Sequence, residues 1–240
     1  MINVGNRVMN TYIYKIKDGY VMIDTGYKNS FNSCKNKLTS YNISIKDIRY
    51  IFLTHVHDDH AGFINDMIRE NKSIKIIMSH KGIDVLRKGQ NSFEGGCSGL
   101  QSYLFCLLMK IIGNGDHKFP PIKREYEDNL MFISETNKAK IEQELNGTII
   151  ETPGHTNDSI SLLTKERELF CGDATMNGFP SKNNITIWIG NKEDYIKSWE
   201  RIIKLKPDKI YPAHGKTFEV EGLIKNIKKI QAVKLFTLHP

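Results

Sequence analysis

The chain has 240 residues, 40% of them hydrophobic, and its 34 Lys and Arg against 27 Asp and Glu give a net charge of +7. This length and composition suit one large domain with a hydrophobic core. No run approaches the ~20 apolar residues of a membrane span, and the four cysteines show neither a Cys-x-x-Cys pair nor a disulfide framework. The positive charge hints at anionic partners, although lysines spread over every surface explain it more simply.

The first residues, Met1 to Gly5, lack a charged region followed by an apolar stretch, so they do not resemble a signal peptide. We therefore expect a cytoplasmic protein that makes no membrane contact. No linker or low-complexity segment divides the sequence, which predicts a single domain over residues 1–240 with an insertion at about 90–130.

The first third of the chain predicts strands that alternate with helices. Residues 11–17 and 20–23 are apolar or alternate in polarity around Lys17-Asp18-Gly19, which is typical of a β-hairpin. The elements predicted next are a helix over 30–40 with Asn29 or Ser30 as its cap, a strand over 48–53, a helix over 60–69 that begins with His60, a strand over 74–78 and a short helix near 81–88.

An irregular stretch at 90–130 follows and contains one apolar helix. That helix, Leu100–Ile112, lies between a Gly-rich break at 93–97 and the Gly- and Pro-containing residues 113–121. The elements predicted after it are a strand pair at 129–134 and 140–142, strands over 147–152, 159–163, 168–171 and 208–211, and helices over 192–204 and 220–233.

The run Thr54–His60 reads Thr-His-Val-His-Asp-Asp-His and directly follows a predicted strand. Imidazole and carboxylate ligands together suit Zn, Fe or Mn. His55 and His57 alternate and can point the same way from an extended segment, whereas Asp59 and His60 break the alternation. One short loop can therefore supply ligands to two neighbouring metals.

Three later segments place a candidate ligand just past an apolar strand, beside Gly or Pro. These ligands are His155 in Pro153-Gly154-His155, Asp173 in Gly172-Asp173 and His214 in Ala213-His214-Gly215. Strand ends fix a position, and Gly or Pro turns expose the side chain. The alternative is that these residues only form turns. Five of the eight histidines fall in the candidate segments, which argues against that alternative.

Five motifs, taken in order over residues 24–215, resemble the metallo-β-lactamase superfamily. They are Asp24-Thr25-Gly26, Thr54–Gly62, Pro153-Gly154-His155, Gly172-Asp173 and Ala213-His214-Gly215. The resemblance implies a fold that mixes helices and strands (α/β or α+β), arranged as a four-layer αββα sandwich with metals at one edge of the two sheets. It also implies two divalent metal ions as cofactors, zinc in the first place and iron or manganese as alternatives.

The same resemblance implies a role for each candidate residue. The implied metal ligands are His55, His57 and His155 for the first metal, Asp59, His60 and His214 for the second, and Asp173 as a bridge between them. Asp24 is either a turn former or, as the resemblance favours, a group that orients a ligand imidazole. Asp59 is also expected to act in catalysis, by orienting the attacking hydroxide or moving its proton.

The leading functional hypothesis is a metal-dependent hydrolase in which a metal-bridging hydroxide attacks a small carbonyl substrate: a thioester, lactone or ester. The first alternative is a phosphodiesterase or nuclease of the same fold, because two metals serve that chemistry equally and the positive charge would help; nucleic acid is then the partner. A mononuclear iron persulfide dioxygenase and a non-catalytic binding protein are further alternatives. The complete set of seven ligands argues against the last.

In this family, a segment between the first and second histidine motifs often covers the active site. We therefore interpret the insertion that contains Leu100–Ile112 as a cap that supplies an apolar pocket. The alternatives are a helix that packs on the core and a contact in a homodimer. His117 either approaches the substrate or faces solvent, and His80, His239 and Asp58 are expected at the surface.

Overall fold

The computed structural model describes residues 1–238, so His239 lies outside the described residues. The strands are β1 (Ile2–Asn3), β2 (Tyr12–Ile16), β3 (Gly19–Ile23), β4 (Ile48–Phe52), β5 (Lys75–Met78), β6 (Gly96–Cys97), β7 (Leu130–Phe132), β8 (Gly147–Glu151), β9 (Ile160–Thr164), β10 (Glu168–Gly172), β11 (Trp188–Ile189) and β12 (Lys209–Pro212). The helices are α1 (Phe31–Ser40), α2 (Ile64–Glu70), α3 (Ile83–Lys88), α4 (Leu100–Ile111), α5 (Lys138–Leu145), α6 (Lys192–Leu205) and α7 (Glu221–Gln231).

The chain folds into two compact units. The first unit comprises residues 1–91 and 118–149, and the second comprises residues 92–117 together with the described chain from Ile150 onward. Helix α4 therefore belongs to the second unit. The interpretation of the segment around it as a cap stays a prediction. Within residues 1–238, no helix has the length and apolar character needed to cross a membrane.

The first unit is built on a six-stranded sheet in the order β1-β2-β3-β4-β5-β7. The predicted hairpin is confirmed, since β2 and β3 are antiparallel neighbours, whereas β3, β4, β5 and β7 run parallel. Parallel strands end at the same edge of a sheet, and Ile23 lies opposite Phe52 at that edge. The residues after β3 and β4 are therefore brought together. Buried residues of these strands and of α1 and α2 form the core of this unit.

A four-stranded sheet in the order β12-β10-β9-β8 and a small sheet of β6 and β11 follow. Strand β8 crosses the boundary between the units at Ile150, and the other strands of both sheets belong to the second unit. Strands β10 and β12 run parallel, so Gly172 and Pro212 lie opposite each other at their carboxyl ends. Helix α6 contributes the fully buried Tyr195 and Trp199 to the core of this unit. The Trp199 indole N–H donates to the Ala174 carbonyl at 2.8 Å, which fixes the segment that follows β10.

One predicted helix starts too early in the sequence. It was expected over 60–69, but α2 begins at Ile64, and His60 lies in a turn before the helix. Backbone bonds outside any helix explain the shift: the His60 carbonyl accepts from Thr25 N at 2.8 Å, and Gly62 N donates to the Gly26 carbonyl at 2.9 Å. Because these backbone groups bond to the segment that follows β3, they do not form the hydrogen bonds of a first helical turn.

One predicted strand is wrong. Residues 140–142 lie inside α5 and not in a strand, and β7 pairs with β5 instead. Ile141 and Leu145 are both buried and stand four residues apart, which is the spacing of one helix face. The short apolar signal around Ile141 was too brief to separate the helical period from the strand period.

Candidate metal centre

Asp24 organises the candidate ligands of the first unit. It follows β3 in a left-handed conformation, with φ at 58°, and is 1% exposed. Its carboxylate accepts from Thr54 N at 2.7 Å and from Thr54 Oγ1 at 2.8 Å, because Thr54 follows the neighbouring parallel strand. The other contact is with His60 Nδ1 at 2.9 Å. A carboxylate only accepts, so Nδ1 carries the hydrogen and Nε2 is left as the ligand atom.

The turn that carries His60 is fixed from both sides. Thr25 donates to the His60 carbonyl through its hydroxyl at 2.7 Å as well as through its backbone N–H. Two residues later the chain passes so close to the neighbouring backbone that a Cβ on Gly62 would lie 2.4 Å from Lys28 N. Only glycine fits at that position, and the close contact holds His60 in place.

The ligand atoms of the first unit form two pairs. His55 Nε2 and His57 Nδ1 lie 3.2 Å apart, and His60 Nε2 lies 3.7 Å from Asp59 Oδ1. Two ligands at about 2.1 Å from a tetrahedral zinc ion are separated by about 3.4 Å. Both separations are close to that value, although 3.2 Å is also within the range of a hydrogen bond between the two imidazoles. His55, His57 and His60 are buried, and Asp59 is partly exposed.

Asp58 is not simply exposed between the ligands, as the sequence led us to expect. It is partly buried, its backbone N–H donates to Asn91 Oδ1 at 2.8 Å, and its carboxylate accepts from Asn91 Nδ2 at 2.7 Å. Asn91 lies far away in the sequence and was missed. It ties down the middle of the ligand loop.

The second unit positions His155 through the backbone around it. Gly154 has φ at 132°, and a Cβ there would lie 2.3 Å from Tyr195 Cα, so the turn rests directly on α6. His155 Nδ1 donates to the Trp188 carbonyl at 2.8 Å, which again leaves Nε2 as the ligand atom. Trp188 was missed by the sequence reasoning, because a backbone carbonyl leaves no signature in the sequence.

Asp173 divides its two carboxylate oxygens between two histidines of the same unit. Oδ2 lies 3.7 Å from His155 Nε2, and Oδ1 lies 3.6 Å from His214 Nε2. Both distances exceed the 2.7–3.2 Å of an N–H···O hydrogen bond and are close to the separation of about 3.4 Å for ligands of one zinc ion. Asp173 therefore places one carboxylate oxygen near each of the two histidines.

His214 is held by a tight loop after β12. A Cβ on Gly215, where φ is 107°, would lie 2.0 Å from Asn177 Oδ1. The Asn177 side chain accepts from Lys216 N at 2.6 Å and donates to the Lys216 carbonyl at 2.9 Å. Asn177 thus locks the backbone beside His214 and, like Trp188, carried no signal in the sequence.

All seven predicted ligand positions are therefore found in ordered turns, four in the first unit and three in the second. The donors are imidazole nitrogens and carboxylate oxygens, the set that suits zinc, iron or manganese. A zinc, iron or manganese ion therefore fits the imidazole and carboxylate donors that are present in each unit.

Comparison with known proteins identifies the family. The model of the metallo-beta-lactamase superfamily matches residues 4–214. Among curated proteins, the chain is 24% identical over 238 residues to a Drosophila melanogaster beta-lactamase-like protein 2 homolog, covering 96% of this chain and 69% of that protein. It is 27% identical over 210 residues to the Caenorhabditis elegans homolog, covering 86% of this chain and only 55% of that protein. It is 24% identical over 237 residues to bovine acyl-coenzyme A thioesterase MBLAC2, covering 92% of this chain and 77% of that protein.

Solved structures show the same fold. A Cronobacter sakazakii metallo-beta-lactamase with a HARLDQ motif aligns with a TM-score of 0.67 at 19% identity, covering 96% of this chain and 88% of that one. TTHA1623 in a di-iron-bound form aligns with a TM-score of 0.64 at 16% identity, covering 93% and 96%. The chain belongs to the metallo-β-lactamase superfamily. The predicted fold class is confirmed, and the chain is a metallo-hydrolase whose substrate is unassigned.

Proposed function

We propose that the seven side chains hold two divalent metal ions in one dinuclear centre that hydrolyses a small thioester. The observation that carries the proposal is the division of the Asp173 carboxylate between His155 and His214. A bridging carboxylate needs two metals, and each metal needs further ligands. The ligand order of the family assigns the pair His55 and His57 to the first metal and the pair Asp59 and His60 to the second.

The reaction follows from the donor set. Divalent metal ions held by these seven side chains would lower the pKa of a bound water toward neutrality and polarise the substrate's carbonyl. Asp59, which is partly exposed, accepts a proton from the attacking water and returns it to the leaving group. Asp24 and the Trp188 carbonyl act through His60 and His155, whose ring orientation and tautomer they fix.

A thioester is the first choice among the carbonyl substrates. The bovine relative is named an acyl-coenzyme A thioesterase, and it is similar to this chain over most of both proteins. A thiolate leaving group needs little protonation at neutral pH, because thiols have pKa values near 8.5. One partly exposed carboxylate, Asp59, is then sufficient for the proton transfer. Lactones and other esters are the remaining members of the same class.

Metal analysis tests the dinuclear centre. Zinc-loaded protein should contain two equivalents of metal per chain. Asp173→Ala should retain one equivalent or none and lose activity, while circular dichroism shows an unchanged fold. Asp208→Ala is the matched control, because this carboxylate is 70% exposed and pairs with Arg167 at the surface. A wild-type ratio of one metal with excess zinc, or full activity of Asp173→Ala, would exclude the two-metal mechanism.

A substrate panel tests the reaction separately. Zinc-loaded protein is assayed with an acyl thioester, a lactone and bis-p-nitrophenyl phosphate, and kcat/KM is compared. We expect kcat/KM to be highest with the thioester, and we expect the thioesterase activity to be lost in Asp59→Asn. A preference for the phosphodiester would support the nuclease alternative instead, while leaving the metal centre intact.

A further inference from the structure

Helix α4 presents a stripe of apolar side chains to the solvent. Leu100, Leu104, Leu108 and Ile111 recur at helical spacing, lie on one face, and are 52–73% exposed. In contrast, the buried residue of this helix is a serine, Ser102. A surface helix of a globular protein normally has the opposite arrangement. The apolar face of α4 therefore points to a binding surface.

The apolar surface continues beyond the helix. Ile112, directly after α4, is 55% exposed, and Phe179 is 79% exposed. The Phe179 ring packs edge-on against Phe105 of α4, with 5.8 Å between the ring centres. We call Leu100, Leu104, Leu108, Ile111, Ile112 and Phe179 the α4 patch. Contiguous exposed apolar patches of this kind mark protein or membrane interaction sites.

The basic end of the patch identifies the occupant. A cavity of about 490 Å³ lies at the first turn of α4 and shares Leu100 with the patch. Three exposed lysines line it, Lys182, Lys229 and Lys234, and among the described residues its lining contains no Asp or Glu. Apolar side chains beside clustered ammonium groups match the two layers of an anionic bilayer, acyl chains below and phosphates above.

A second copy of this chain fits the surface less well. A symmetric contact places the same patch on both partners, so the lysine cluster of each copy would approach the other, and each copy already carries a net charge of +7. Anionic lipid supplies the opposite charge. With 12 residues, α4 is too short for the ~20 residues of a span, so it would lie in the plane of the interface.

We propose that the α4 patch docks peripherally on an anionic phospholipid bilayer, with Lys182, Lys229 and Lys234 against the lipid phosphates. The sequence led us to expect no membrane contact, because it contains no apolar stretch long enough to span a bilayer. Peripheral docking requires no such stretch, and the proposal departs from that expectation. The proposal is independent of the substrate assigned above, since the residues of the α4 patch and the three lysines are not metal ligands.

Cosedimentation with vesicles tests it. Full-length zinc-loaded protein is mixed with vesicles of phosphatidylcholine alone or with about one third phosphatidylglycerol. Binding is expected only to the anionic vesicles and should weaken with salt. Leu104→Ser/Leu108→Ser and Lys229→Glu/Lys234→Glu should each lose at least about thirty-fold in partition coefficient, with unchanged circular dichroism and metal content.

Matched controls separate docking from general effects. Lys15→Glu/Lys17→Glu makes the same charge change on the exposed face of the β2–β3 hairpin, and Ile224→Ser removes a side chain that is 52% exposed on α7. Both should bind vesicles as the wild type does. Equal loss in the controls, or no binding to anionic vesicles, overturns the proposal. The membrane proposal is also overturned if the wild type is a dimer and Leu104→Ser/Leu108→Ser is a monomer, because the α4 patch is then a dimer interface.

Discussion

Replacing Asp24 by Asn should separate metal affinity from folding. The carboxylate accepts from Thr54 N and from His60 Nδ1. In Asp24→Asn the amide oxygen must face Thr54 N, because that group only donates, so the amide NH₂ faces His60. The NH₂ then donates to Nδ1, and the imidazole hydrogen moves to Nε2. The ligand atom is thereby blocked by a hydrogen, although the shape of the site is kept.

The size of each effect follows from these contacts. In Asp24→Asn the hydrogen bonds survive in neutral form, so the metal-free protein should lose about 1–2 kcal/mol of unfolding free energy. Metal affinity should fall about 10–100-fold, as for other partners that orient a ligand histidine. Asp24→Ala leaves the N–H and O–H of Thr54 and the N–H of His60 buried without the acceptor. At about 1–3 kcal/mol for each of the three groups, this variant should lose about 3–9 kcal/mol.

Two measurements distinguish these results. Urea unfolding of the metal-free proteins gives the free energy of unfolding, and competition with a chromophoric chelator gives the metal dissociation constant. Asp24→Asn should change mainly the metal dissociation constant, whereas Asp24→Ala should change both this constant and the free energy of unfolding. Wild-type metal affinity in Asp24→Asn would refute the reasoning, since it would mean that the tautomer of His60 does not depend on Asp24.

Three further predictions concern other parts of the chain. The hydrogen bond with the Cys97 side chain lowers the pKa of the Cys106 thiol, whereas burial raises the pKa of Cys34 to about 12. Iodoacetamide at pH 8 should therefore label Cys106 first and leave Cys34 unlabelled, which peptide mass spectrometry can measure. Burial also raises the pKa of Tyr195 above the usual value of about 10, so the native state keeps a proton that the unfolded state loses. Above pH ~10 this residue alone should lower the free energy of unfolding by about 1.4 kcal/mol per pH unit. In urea titrations Tyr195→Phe should reduce the fall of unfolding free energy with pH by about 1.4 kcal/mol per pH unit, and an unchanged slope would contradict the assignment. If α4 is a cap, Phe105→Ser/Met109→Ser should change the ratio of kcat/KM values between substrates at constant metal content, while an unchanged ratio would count against the cap.

Much of the fold could be predicted from short stretches of sequence. The hairpin of β2 and β3, the strand β4, the apolar helix α4 and the helix α6 all appear where the sequence places them. Each has several turns of periodic polarity or a clear turn signal, so local energetics decide its conformation. The strand predicted over residues 140–142 was wrong, because three residues contain no complete helical turn and therefore cannot distinguish a helix from a strand.

The sequence by itself determined the ligand types and their positions after strands, since His, Asp, Gly and Pro signals are local. It did not determine which contacts orient those ligands. Asn91, Asn177 and the Trp188 carbonyl hold the ligand turns, and all act across long separations in the chain through groups that are common in any sequence. Likewise, periodicity marked the apolar residues of α4, but only the tertiary structure decided that its leucine stripe faces solvent. The reason is physical: an apolar helix face is the same in sequence whether a core or a partner covers it, and only the packing of distant segments makes the difference.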